Sequence, residues 1–196
     1  KIHLADVAGQ HMIRIGSDGG SRESVRLYLG QVIDTSLLSE IPIGMIQSSV
    51  WISTVPNTHV IEGPGLDRLL IGEPGRTDVG EFNVDLRLSG IGVEQRRMTL
   101  GRVDVAGPIS GGHWIVTGHA GKIVARQIDP SWQAEVLGSI RKIQTDTDFS
   151  GHLSAESVGV LDVGRDLHDA QLSLGPLITG RAVLGRMVVA RRMQSS

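Results

Sequence analysis

The chain has 196 residues, with 40% hydrophobic and 20% charged side chains and a formal net charge of −2. That length and composition describe one ordinary globular domain, long enough for a core without staples. The near-neutral charge excludes a whole-molecule electrostatic role such as coating nucleic acid, and the absence of cysteine excludes disulfides, thiolate nucleophiles and cysteine-based zinc sites.

No apolar run approaches the roughly 20 residues that span a bilayer as a helix. The chain starts at Lys1 without Met, the expectation for a processed or trimmed product. Aromatic residues are few: Trp51, Trp114, Trp132, Tyr28, Phe82 and Phe149. A stacking platform for bases or sugars is therefore not expected.

The dominant hydrophobic period is two, so most of the chain reads as half-buried strands. In chain order the expected strands are His11–Ile15, Val25–Leu29, Gly44–Val55, His59–Glu62, Arg68–Ile71, Val84–Leu88, Val93–Val105, His113–Thr117, Ile123–Gln127, Val158–Val163, Gln171–Leu174 and Ala182–Ala190. Residues 24–38 also fit a helix, although Gly30 inside it would cost about 1 kcal/mol; strand is preferred. Turns are expected at Gly16–Gly20, Gly63–Gly65 and Glu73–Gly75, where glycine supplies positive φ.

One helix is expected, over 131–144. Asp129–Pro130–Ser131 forms its start, and Trp132, Val136, Ile140 and Ile143 recur at helical spacing. No internal repeat is evident, and the weak candidate boundary is the polar stretch Thr145–Ser150. The expected fold is thus a single, mainly β domain: an antiparallel sandwich or barrel carrying one helix.

One stretch resembles a known family. Gly30–Gln31–Val32–Ile33–Asp34 is similar to the Gly-Val-Ile-Asp segment of trimeric dUTPases, and Asp67–Arg68–Leu69–Leu70 resembles a later strand there. The resemblance implies a jelly-roll-like β architecture. It carries no activity, because Leu37 and Leu38 stand where that family keeps a Tyr, and its phosphate motif and Gly-rich C-terminal arm are missing.

Four groups of residues are weighed for chemistry. His113 and His119 sit in a glycine-rich segment, six residues apart, where a third ligand would complete a metal site. The same segment fails the phosphate-loop pattern at both ends. Gly16–Ser21 would bind an anion only if a helix followed it. Asp146, Asp148, Glu156, Asp162, Asp166 and Asp169 lie among His152 and His168 without calcium-loop spacing, and Ser150, His152 and an Asp are the components of a triad. Arg181, Arg186, Arg191 and Arg192, with Arg165 before them, form a basic set suited to phosphate or an acidic partner.

The preferred expectation is a soluble, non-enzymatic assembly or binding protein, a homo-oligomer of the viral coat, matrix or movement type, placed in virion or cytoplasm, with no cofactor. The first alternative is a small β-rich hydrolase or metal-dependent enzyme using His113 and His119. The second is recognition of an anionic partner, nucleic acid or acidic protein, through the C-terminal arginines.

Overall fold

A computed structural model of the chain describes residues 1–17, 24–72, 80–91, 93, 98–175 and 183–190, and the backbone of 192–194. Among them are eighteen strands and no helix. The first six are β1 (Ile2–His3), β2 (Val7–Ile15), β3 (Val25–Tyr28), β4 (Gln31–Ser39), β5 (Ile43–Ser48) and β6 (Val50–Ile52). Then come β7 (Val60–Gly63), β8 (Leu66–Ile71), β9 (Asp85–Leu88), β10 (Leu100–Ile109), β11 (His113–Val116) and β12 (Ala120–Ile128). The last six are β13 (Gln133–Thr145), β14 (His152–Val163), β15 (Asp166–His168), β16 (Gln171–Leu174), β17 (Leu184–Val189) and β18 (Arg192–Gln194).

All the described strand pairings are parallel, which overturns the antiparallel sandwich, barrel and jelly-roll expectations. Parallel neighbours need a long crossover to return the chain to the same end. Here the crossover is itself made of strands. Ile123 pairs with Ile143, Trp114 with Ala134, and Ile128 bridges to Phe149, each about one coil later in the chain. The chain therefore winds as a three-sided coil and lays each turn on the one before.

The first side runs β1, β3, β5, β8, β10, β12, the end of β13, the end of β14, then β17. The second side is narrow and runs through the start of β4, β6, Phe82, Ile109, Ile128, Phe149, β15 and β18. The third side runs β2, β4, β7, β9, β11, the start of β13, the start of β14, then β16. Nine strands on the first side, spaced about 4.8 Å, make a stack roughly 40 Å tall.

A short hydrophobic pattern builds the first side. Its inward positions fall at offsets 0, 3 and 5: Leu66, Leu69 and Ile71; Leu100, Val103 and Val105; Ala120, Ile123 and Ala125; Val158, Leu161 and Val163. Glycine follows the first of these at Gly44, Gly101, Gly121, Gly159 and Gly185. There the coils approach too closely for a side chain: a Cβ on Gly121 would lie 2.0 Å from the Gly101 carbonyl oxygen, and one on Gly101 2.3 Å from that of Asp67. The pattern is an internal repeat, absent from the sequence reading because spacings of 18 to 34 residues separate its copies.

The expected helix over 131–144 is instead the corner after β12 and strand β13. Ala134, Val136 and Ile140 point inward on alternate residues across the turn from third to first side between Val136 and Ser139, and Ile140, Ile143 and Thr145 then follow the 0, 3, 5 pattern of the first side. Adding Trp132 to that series mimics a helical stripe. Residues 24–38 are strands β3 and β4, as preferred. Gly63–Pro64–Gly65 is a corner between β7 and β8, whereas Asp18–Gly20 and Glu73–Gly75 lie outside the described residues. Thr145–Ser150 is another corner, with Phe149 and Ser150 buried in it.

The core is the inside of the coil. Phe82, Trp114, Trp132 and Phe149 form an edge-to-face ladder, with ring centroids 5.8, 5.3 and 6.1 Å apart. Such pairs add about 0.5–1.5 kcal/mol each beyond area burial. These four rings and Trp51 are at most 1% exposed, so the chain's large rings are spent on packing.

Candidate functional site

Stacked coils place residues about twenty apart in direct contact, and several of the nominated residues are used that way. His119 sits just past the corner at Gly118, whose φ is +131°. Its Nδ1 lies 3.0 Å from the Ser139 amide and 2.9 Å from Ser139 Oγ, on the following coil. The amide can only donate, so Nδ1 is the acceptor and His119 ties two coils together. Ser150 is 3% exposed and its Oγ lies 3.1 Å from His168 Nε2. The structure thus brings Ser150 to His168, while His152 faces outward on β14.

The acidic residues behave alike. Arg165 forks onto Asp148 at 2.7 Å, and the carboxylate raises the guanidinium pKa above its ordinary value by accepting its hydrogen bonds. Asp148 also accepts the Asp166 amide at 3.2 Å. Lys142 reaches Asp162 at 3.0 Å, across neighbouring strands. Among the described residues no three His, Asp or Glu side chains converge closely enough to hold a metal ion. His113 and His119 are separated by the corner at Gly118.

A constellation that the sequence reading did not single out lies at Asp34, Ser53, Thr54 and His59, with Ser53 and His59 buried and Thr54 exposed. Asp34 adopts a positive φ of 50°, which Asp tolerates better than most residues. Its carboxylate accepts the Thr54 amide and hydroxyl, both at 2.7 Å. These bonds, the amide's first, and the nearby His59 hold its pKa below the ordinary value despite some desolvation. Ser53, His59 and Asp34 have the composition of a triad. Yet Ser53 Oγ, at 2.8 Å, and Asp34 Oδ1, at 3.7 Å, both face Nδ1 of His59. A triad needs the acid on one ring nitrogen and the nucleophile on the other. The Ser53 hydroxyl is moreover donated to the Val55 carbonyl. The cluster fastens a corner.

The third side carries an open cavity. A cleft of about 410 Å³ is lined by Pro56 and Asn57 from the loop before β7, by Asn83, Asp85 and Arg87 on and before β9, by Ser110–His113, and by Ser131 and Gln133. Asp85 is 3% exposed, and its Oδ1 accepts the His113 amide at 2.8 Å. Its Oδ2 stands 3.9 Å from the exposed Arg87 guanidinium, a loose ion pair. Gly112, with φ of +99°, lets this loop pass against the Val84 carbonyl, where a Cβ would lie 2.4 Å from the oxygen. Next to the cleft is a shallower depression of about 180 Å³, which shares His113 and Gln133 and continues to His152, Ser154, Gln171 and Ser173.

His113 and His152 therefore meet one surface, and they do so without His119 or Ser150. Sequence reasoning flagged both histidines but missed Asp85, Arg87 and Gln133, because only the coil register makes them neighbours. Of the arginine set, Arg186 is exposed on β17, Arg192 is placed by its backbone in β18, and Arg181 and Arg191 lie outside the described residues.

Compared with known protein families, curated proteins and solved structures, the chain matches none.

Proposed function

We propose that the chain is a non-enzymatic structural and binding protein: a rigid stack of coils that holds a polar side open to a partner. The observation that carries this reading is the use of the polar residues. His119, Ser150, His168, Asp148, Asp162 and Asp34 are each engaged in contacts between coils or within corners. These ties occupy the polar atoms in packing, and Ser150, although hydrogen-bonded to His168, is only 3% exposed. The third side, with its cleft, keeps exposed polar groups outside these ties.

Self-association belongs to the same proposal. Among the described residues β1 and β16 each pair on one side only, and an open strand edge recruits further strands. The test is molar mass by size exclusion with light scattering, with elemental analysis of the same peak. A metal-free oligomer is expected. A monomer carrying a stoichiometric transition metal would overturn the reading and make His113 and His119 the first residues to substitute.

A further inference from the structure

The cleft and the adjoining depression share His113 and Gln133, so they form one groove running along the stacking axis. Its floor is a register column. His113 pairs with Gln133, Gln133 with His152, and His152 with Gln171, while Asp85 joins the column through the His113 amide. Five positions at about 4.8 Å span roughly 19 Å.

We infer that this groove binds a neutral, hydroxyl-rich chain, an oligosaccharide lying along the stack. The inference deepens the reading of the protein as a binding scaffold and rests on it for the rigid placement of the column. Three observations select the ligand class. First, the described lining carries a single basic side chain outside the imidazoles, Arg87, against Asp85 and Glu135, so a polyanion finds no basic track. Second, β9, β11, β13 and β14 are each paired on both sides here, so along most of the groove a peptide finds no backbone edge to extend, and among the described residues only β16 at its end offers one. Third, the side chains offered are amides, hydroxyls, imidazoles, the Asp85–Arg87 pair and the Glu135 carboxylate, and these pair naturally with vicinal hydroxyls. Asp85 is the anchor. It is nearly buried and oriented by an amide, and its second oxygen is held only loosely by Arg87.

No aromatic ring lines the groove among the described residues, so stacking adds nothing and affinity is modest. A dissociation constant of about 0.1–10 mM is expected, set by a few hydrogen bonds. The experiment is a titration of isotope-labelled protein, followed by amide NMR shifts, with neutral linear gluco-, manno- and galacto-configured hexasaccharides. An oligogalacturonate of equal length and an uncharged dodecapeptide serve as comparators. Saturable shifts confined to the amides of residues 111–113, 133, 152 and 171 with at least one neutral hexasaccharide are expected. Arg87→Ala and Gln133→Ala, both at exposed positions, should weaken that binding about tenfold and leave the amide spectrum elsewhere unchanged. Absence of saturable shifts with every neutral hexasaccharide up to about 50 mM overturns the inference. So does binding confined to the oligogalacturonate or the peptide, or binding that ignores both substitutions. The light-scattering result on assembly stands apart from all of these outcomes, so failure of the groove is distinguishable from failure of the scaffold.

Discussion

At the scale of single residues, Asp34 shows how the fold uses charge. Two hydrogen bonds from Thr54 reach its carboxylate, and its pKa lies below the ordinary range. A lowered native pKa means that the ionised form favours the folded state. That contribution is complete above the unfolded value of about 3.9 and is lost as pH falls through the lowered native value. Asp34→Asn tolerates the positive φ and keeps one acceptor, but carries no charge. Its melting temperature should fall below wild type near neutral pH, and the difference should shrink as pH falls through the lowered native value. Thermal melts from acid to neutral pH check this; parallel curves for both proteins would contradict it. Glycine offers a second test. Gly121→Ala places a carbon against the Gly101 carbonyl and should cost about 1–3 kcal/mol or more in denaturant unfolding. Gly175→Ala meets nothing within 4 Å and should change stability by under about 0.5 kcal/mol. Equal effects at the two positions would refute the close approach of the coils.

At the scale of elements, the strands were largely legible and their partners were not. Gln171–Leu174 appears as β16 with the same bounds, and His113–Thr117 and Arg68–Ile71 differ from β11 and β8 by one or two residues. Alternation reports that one face is buried and one wet, and parallel strands are normally covered on both faces. A coil gives parallel strands an open outer face, so their pattern looked antiparallel. The helix over 131–144 arose because Trp132, Val136, Ile140 and Ile143 are inward residues of a corner, the third side and the first side in turn, a spacing that cannot be told from helical phase. The site was legible only in part. His113 and His152 stood out as residue types, whereas Asp85 and Gln133 are ordinary strand residues until the register joins them. The aromatic ladder makes its own prediction. Trp132 is fully buried and its Nε1 has no hydrogen-bond partner. Trp132→Ala should cost about 3–5 kcal/mol, while Trp132→Phe should cost much less, because no hydrogen bond is lost. Comparable losses in the two variants, measured by chemical denaturation, would show that the indole nitrogen does bond.

At the scale of the whole molecule, stability accrues coil by coil, since each turn contacts chiefly the turns before and after it. The glycine pattern at Gly44, Gly101, Gly121, Gly159 and Gly185 sets the closest approach, the aromatic ladder fills the middle, and polar ties fasten the corners. A scaffold of this kind holds the side chains of its third side in columns, which is what an extended ligand requires. All of it depends on parallel, in-register stacking of turns about twenty residues apart. The chain has no cysteine, so any introduced pair is unambiguous. The direct measurement is disulfide formation in Glu135→Cys/Ser154→Cys, whose positions are register partners on the third side, against Glu135→Cys/Glu156→Cys, which is two residues out of register. Rapid, near-complete oxidation of the first pair with little in the second is the predicted result. Oxidation of neither, or of the second in preference to the first, would contradict the stacked coil and the groove built upon it.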